Sequence, residues 1–346
     1  MSDFALPLRH RPRLRPGHGA LWLLLAVAVG LSLGSGATGL GPARLVQAAM
    51  GDGLSALERT VLVDIRLPRL VMGMLVGAAL AVSGAVMQGL FRNPLADPGL
   101  VGVSAGAGLG AIAAIVLGGL LPFAPGPWLV PGAACLGGWL TTLTLYRIAT
   151  RGGQTSVATM LLAGIALAAL AGAASGLLIS MADDRQLRDL TFWGLGSLSG
   201  ATWDRVLAAA PILLAALAAA PALARGLNAL ALGEAAAAHM GVRVERLKTG
   251  AVLTVAAATG AAVAVSGGIG FIGIVVPHLL RLAVGPDHRR LLPDAALLGA
   301  ALLVLADLIA RQVVAPAELP IGIVTALLGA PVFLWILLRR PGLVAS

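Results

Sequence analysis

Apolar stretches of membrane-crossing length recur along almost the whole chain, separated by short polar segments. A helix needs about 17 to 25 largely apolar residues to cross a hydrocarbon core. Stretches of that kind lie at approximately 20–40, 67–90, 99–121, 128–148, 156–181, 206–224, 249–267, 269–285, 291–310 and 321–338. Ten such spans predict an all-α polytopic membrane protein with a single bundle domain over 20–340, preceded by a basic tail at 1–19 and followed by a short tail at 341–346. The opening "RHRPRLRPGH" followed by "ALWLLLAVAVGLSL" also has the outline of a signal peptide. An uncleaved first span is the better reading, because no clear small-residue cleavage site follows and nine more spans do.

Composition agrees with the pattern. The chain is 58% hydrophobic and 11% charged over 346 residues, against roughly 25% charged in soluble domains. With the N-terminus placed in the cytoplasm, about two-thirds of the 24 Lys and Arg fall in cytoplasmic segments, the asymmetry expected of inner-membrane proteins with both ends inside. That placement accounts for the net charge of +9 without nucleic acid as a partner. Cys135 is the only cysteine, so neither a disulfide framework nor a cysteine-based metal cluster is available.

The polar interruptions are unequal. "LFRNPLADPGLVG", Leu90 to Gly102, joins the second and third spans with two prolines, which stop the helix and force extended backbone before them. Such irregular backbone is tolerated near membrane depth only where protein or a water-filled cavity covers it. Gly102-Val103-Ser104-Ala105-Gly106 matches G-x-S-x-G, but no strand precedes it as a nucleophile elbow requires. "GSLSG" at 196–200 is no better, having no well-placed membrane histidine to pair with. No catalytic residue is assigned. Gly102, Gly106 and Gly110 instead predict a smooth helix face for close packing. "GAALAVSG" at 77–84 and "GAAVAVSG" at 260–267 suggest an internal repeat in spans of opposite direction, as in inverted-topology transport folds, although chance similarity of Ala/Gly-rich helices also explains it.

A driving force is hard to find within the chain. Ion-coupled carriers commonly bury acids in mid-membrane, and here Asp307 in the ninth span is the clearest case. Lys248, the only lysine, follows Leu247, so no G-K-[ST] phosphate loop exists. ATP, if used, is bound by another subunit. "RGLNALALGEAAAAHMGVRVERLK", Arg225 to Lys248, is Ala-rich and interrupted by Gly233 and Gly241. It predicts two short helices that either form an amphipathic loop or seat in a soluble partner.

Five segments together resemble one family: "RLPR" (66–69), "GAALAVSGAVMQGLFRNPLADPGLVGVSAGAGLGA" (77–111), "LNALALGEAAAAHMGV" (227–242), "GFIGIVVPHLLRLAVGPDHRRLLP" (270–293) and "ADLIARQVVAPAELPIGIVTALLGAPVFLW" (306–335). They resemble the FecCD-type permeases, membrane subunits of bacterial ABC importers for iron-siderophores, haem and cobalamin. The resemblance implies ten helices per chain, a homodimer, two ABC ATPase subunits on the cytoplasmic side and a periplasmic substrate-binding protein. It implies that Asn93 and Leu95 belong to a cytoplasmic gate, and that 227–242 contains coupling helices, with Gly233, Glu234, His239 and Gly241 at the ATPase contact. Arg66, Arg69 and Arg311, at the outer ends of the second and ninth spans, match positions that receive acidic residues of the binding protein; anchoring of helix ends at headgroups is the plainer reading. The segment 183–203 resembles the haem-importing branch, leaving ferric siderophores and cobalamin as alternatives. Of residues able to ligate haem iron, Met87, Met160 and Met181 are candidates for the path, although methionine in packed helices is usually filler. No permanently bound cofactor or metal is expected.

Overall fold

The structure, a computed structural model, describes residues 17–36, 41–48, 50, 53–121, 126–152, 154–315 and 317–339. The expected tail at 341–346 and most of the tail at 1–19 lie outside these. Among the described residues, ten apolar helices occupy the positions of the ten spans: α1 (His18–Gly34), α4 (Leu67–Leu90), α5 (Val103–Leu117), α6 (Leu129–Ala149), α7 (Val157–Ile179), α9 (Trp203–Leu230), α11 (Val244–Ser266), α12 (Ile272–Val284), α13 (His288–Gln312) and α14 (Ile321–Arg339). Seven are long and apolar enough to cross a membrane, while α1, α12 and α14 are shorter apolar helices. Between them come α2 (Pro42–Gln47), α3 (Ala56–Thr60) running through a π-helical turn Val61–Arg66 into α4, the amphipathic α8 (Asp184–Gly194), and α10 (Glu234–His239). A two-stranded hairpin, β1 (Thr150–Arg151) and β2 (Gln154–Thr155), joins α6 to α7.

Helix α4 is the centre. Its most apolar window is 83% buried, against 17% for α7 at the periphery, where Leu162, Leu170 and Leu177 stand exposed as lipid-facing side chains would. Helices α9, α11, α12 and α13 all pack on α4. Small residues set the distances. Any side chain at Gly77 would strike the Gly299 carbonyl of α13, and one at Gly84 the Gly273 carbonyl of α12. Gly106 and Gly110 do press against Gly137 and Ala133 of α6, as the four-residue spacing predicts. Gly102 does not share that role: with φ +73° it is the left-handed residue from which α5 starts.

Two further expectations are corrected. The third span begins at Val103, because Pro98–Val101 forms a 3-10 turn that the two prolines detach from the helix. The two short helices expected over 225–248 are one. Nothing breaks the Ala-rich chain until Gly233, so α9 continues through Pro211 and Pro221 to Leu230. Gly233 (φ +106°) and Gly241 (φ +82°) then bracket the six residues of α10.

Candidate functional site

Since α4 runs from Arg69 to the turn at Asn93, the bundle has an Arg69 end and an Asn93 end. At the Asn93 end the turn is held by its own polar atoms. The Asn93 amide donates to the Gln88 carbonyl (3.1 Å), and its side-chain Oδ1 accepts from the Leu95 amide (2.9 Å). Arg92 adopts φ +52°, the left-handed region that residues with a Cβ rarely occupy. Asp97 caps the 3-10 turn through the Gly99 amide (2.7 Å); burial pushes its carboxyl above the usual range, opposed by that hydrogen bond. Asp97 and Pro98 of the turn lie against Gly273, where a methyl group would touch both and the Leu80 carbonyl. Asn93 is exposed and Leu95 half-buried.

Beside the turn, Asn228 at the end of α9 binds both the amide (2.9 Å) and Nδ1 (2.8 Å) of His288 through its Oδ1. Its amide nitrogen donates to Asp287. The Arg289 amide and Asn228 together hold the Asp287 carboxyl below the usual range. The Gln88 side chain binds the Gly273 carbonyl (3.2 Å) and accepts from Arg281. These ties join α4, α9, α12 and α13 around the turn.

The short helix α10 projects at the same end. Ala237 is buried against the body, whereas Glu234, His239, Leu232 (71% exposed) and Met240 (54% exposed) face outward. An apolar pair in the open, next to charge, suits a protein partner more than solvent. Glu234 is tied inward to Lys248 Nζ (2.9 Å). Sequence reading used Lys248 only to exclude a phosphate loop; its acidic partners Glu234 and Glu245, in the same segment, were the signal available.

At the Arg69 end the three predicted arginines converge on one crevice of about 490 Å³, lined also by Ser35, Ile65 and Glu318. Asp307 lies beneath it. Arg69 binds Asp307 and Glu318, Arg311 binds Asp307 (3.1 Å) and Ser32 (Oγ, 2.9 Å), and Arg66 donates to the Leu33 carbonyl. Asp307, the acid that the sequence offers as the clearest case for ion coupling, is therefore ion-paired in place with two arginines. Met87 and Met160 are core side chains with 0% and 1% exposure, while Met181 is exposed just beyond α7. The helical path is interrupted where the α8–α9 connection meets the α11–α12 break: the Ser197 amide binds the Ser266 carbonyl (2.8 Å), and the Ile321 and Gly322 amides bind Gly196 and Leu195 (both 3.0 Å). A cavity of about 240 Å³ opens there between Asp97, Ser104, Thr259 and Gly268–Gly270. Interrupted helices that meet inside a bundle are one way transport proteins build a path.

Comparison with known proteins agrees with this architecture. Residues 24–339 match the FecCD transport family. The hemin transport system permease protein HmuU of Yersinia pestis is 46% identical, over 96% of this chain and 97% of that one. The cobalamin import system permease protein BtuC of Halobacterium salinarum is 46% identical over 83% of this chain and 76% of its own. The vitamin B12 import permease BtuC of Salmonella typhi is 44% identical over 92% and 94%. A solved structure, described as an inward-facing conformation of a transporter assigned to the metal-chelate type of ABC transporter, superposes with a TM-score of 0.83 at 32% identity, covering 93% of this chain and 98% of that one. With ten apolar helices, helix connections that meet inside the bundle and a family match over nearly its whole length, the chain belongs to the FecCD transport family and is a membrane-spanning permease.

Proposed function

We propose that this permease carries haem into the cytoplasm as the membrane subunit of a binding-protein-dependent ABC importer. It works as a homodimer in the inner membrane, with both termini cytoplasmic, two ATPase subunits against α10 and a periplasmic binding protein over the Arg69 end. The observation that carries the cargo is the match to the hemin permease, which spans 96% of this chain at 46% identity. The exposed Leu232, Met240 and Glu234 support the ATPase contact, and the convergence of Arg66, Arg69 and Arg311 on one crevice supports the binding-protein contact. ATP is bound by the partner, since this chain has no phosphate loop. Asn93 and Leu95 form the gate at the cytoplasmic side; Met87 and Met160 are core side chains, and Met181 follows the outward-facing α7, so no methionine is assigned to the cargo. Weak ligation suits a path, because a transporter must release what it carries.

A second reading, cobalamin, is favoured by the 44–46% identity to two cobalamin permeases. The two separate in liposomes containing the complete complex and its cognate binding protein. ATP-dependent accumulation of haem, with none of cobalamin or of ferric siderophores, is expected. Accumulation of cobalamin alone overturns the haem assignment.

A further inference from the structure

Lys248 is the only lysine of the chain, and its side chain is 3% exposed in the first turns of α11. An ammonium so placed needs acceptors for all three of its hydrogens, and it has three. They belong to three different elements: the Thr155 carbonyl of β2 (2.7 Å), Glu234 at the first turn of α10 (2.9 Å) and Glu245 of α11 (3.1 Å). Glu245 in turn accepts from the Thr155 amide (2.6 Å). Both backbone groups of Thr155 are therefore gripped from α11, the carbonyl by Lys248, which also holds α10, and the amide by Glu245. The next residue, Ser156, is the N-cap of α7, with its hydroxyl accepting from the Thr159 amide. Helix α7 packs against α5 and against the 3-10 turn that follows Asn93 and Leu95. A continuous run of contacts thus leads from α10 through Lys248 to Thr155, to α7 and on to the turn.

There is also room for movement. A crevice of about 910 Å³ separates Glu234 and Ala238 of α10 from residues 154–159, with Lys248 among its lining residues. Helix α10 is linked to its neighbours by positive-φ glycines on both sides, which absorb rotation at little steric cost. We propose that Lys248 is a positioning residue that transmits displacement of α10 to the start of α7, so that the state of the ATPase is read at the Asn93 end of the path. This rests on the reading of α10 as the ATPase contact.

The test uses the full complex with Cys135→Ala as background and Ala158→Cys, in the exposed first turn of α7, as reporter. Maleimide labelling of that cysteine is followed with and without a non-hydrolysable ATP analogue. The analogue is expected to change the rate about tenfold with Lys248 and less than about twofold in Lys248→Met, with Lys248→Arg restoring most of the response. Glu234→Gln should blunt it as well, and the double variant no further, because both belong to one link. An unchanged response in Lys248→Met, or losses that multiply in the double variant, overturns the proposal; so does failure of Lys248→Met to retain the ATPase, which makes the residue a docking element. The underlying contact is checked separately: Ala235→Cys, exposed on α10, must cross-link to the ATPase subunit, and absence of that cross-link sinks the docking reading itself.

Discussion

Arg69 and Asp307, separated by 238 positions in sequence, form a forked ion pair across the α4–α13 interface, with Nη2 at 2.8 Å and Nε at 3.1 Å from Oδ1. Their side chains are 11% and 5% exposed. Arg311 approaches the other carboxylate oxygen from one helical turn away. One carboxylate thus contacts two guanidinium groups; removing it leaves Arg69 with Glu318 alone and Arg311, 14% exposed, with no carboxylate partner among the described residues.

Asp307→Asn is therefore expected to destabilise the protein by about 3–5 kcal/mol. Thermal unfolding of the detergent-solubilised chain reads this directly. Were Asp307 a proton relay, the variant would keep its stability and lose a pH-dependent transport step, the reverse of what is expected.

The crevice above that pair holds three arginines and Glu318. Electrostatic docking there should weaken as salt rises, since screening shortens the reach of charge to about 10 Å at 0.1 M and 3 Å at 1 M, but less steeply than at an open surface, because Arg66 is 6% exposed and the Arg69 and Arg311 side chains 11% and 14%. Stimulation of ATP hydrolysis by loaded binding protein should fall with added NaCl, and Arg66→Gln should flatten that dependence; Arg69→Glu is a poorer probe because it would also break the pair with Asp307. A salt-independent stimulation would identify the arginines as headgroup anchors.

At the Asn93 end, the Asn93 side chain supplies the cap that holds the turn. Asn93→Ala with Leu95→Ala should leave the complex folded and make proteoliposomes leakier to small solutes, by about the loss of one cap and one half-buried aliphatic contact, roughly 2 kcal/mol of gate stability. Asn93→Asp, which keeps the acceptor, should leak less than the alanine pair. Equal leak from both variants and the parent would remove the gate from this turn.

Close helix packing makes a sharper demand. Gly84→Ala drives a methyl group into the Gly273 carbonyl, with no rotamer to relieve it. Loss of at least about 1–3 kcal/mol, or of folded protein altogether, is expected. Gly108→Ala, with open space around its Cα, is the control and should behave as the parent does. Size-exclusion profiles of the two variants in detergent decide between these outcomes.

Much of this architecture was legible in the chain itself. Ten apolar stretches dictated ten helices, because a membrane offers a backbone no partners other than its own carbonyls. The span 67–90 was found with the boundaries of α4 because Pro68 starts it and Asn93-Pro94 lies just beyond its end. Gly106 and Gly110 announced the α5–α6 contact, and the prolines of 91–98 announced a structured turn. Local sequence could not say which stretch is central: α4 and α7 have equal hydropathy, yet one is buried and the other faces outward. That difference depends on what each face meets. Pairing of charges was hidden for the same reason. Asp307 looked like a lone intramembrane acid until folding brought Arg69 to it across the bundle, and Lys248 looked incidental until α10, β2 and α11 met around it. The chain alone determined how many apolar spans become helices; the tertiary structure decided which side chains share a dielectric environment, because ion pairing acts through space over a few ångströms and is blind to separation along the sequence.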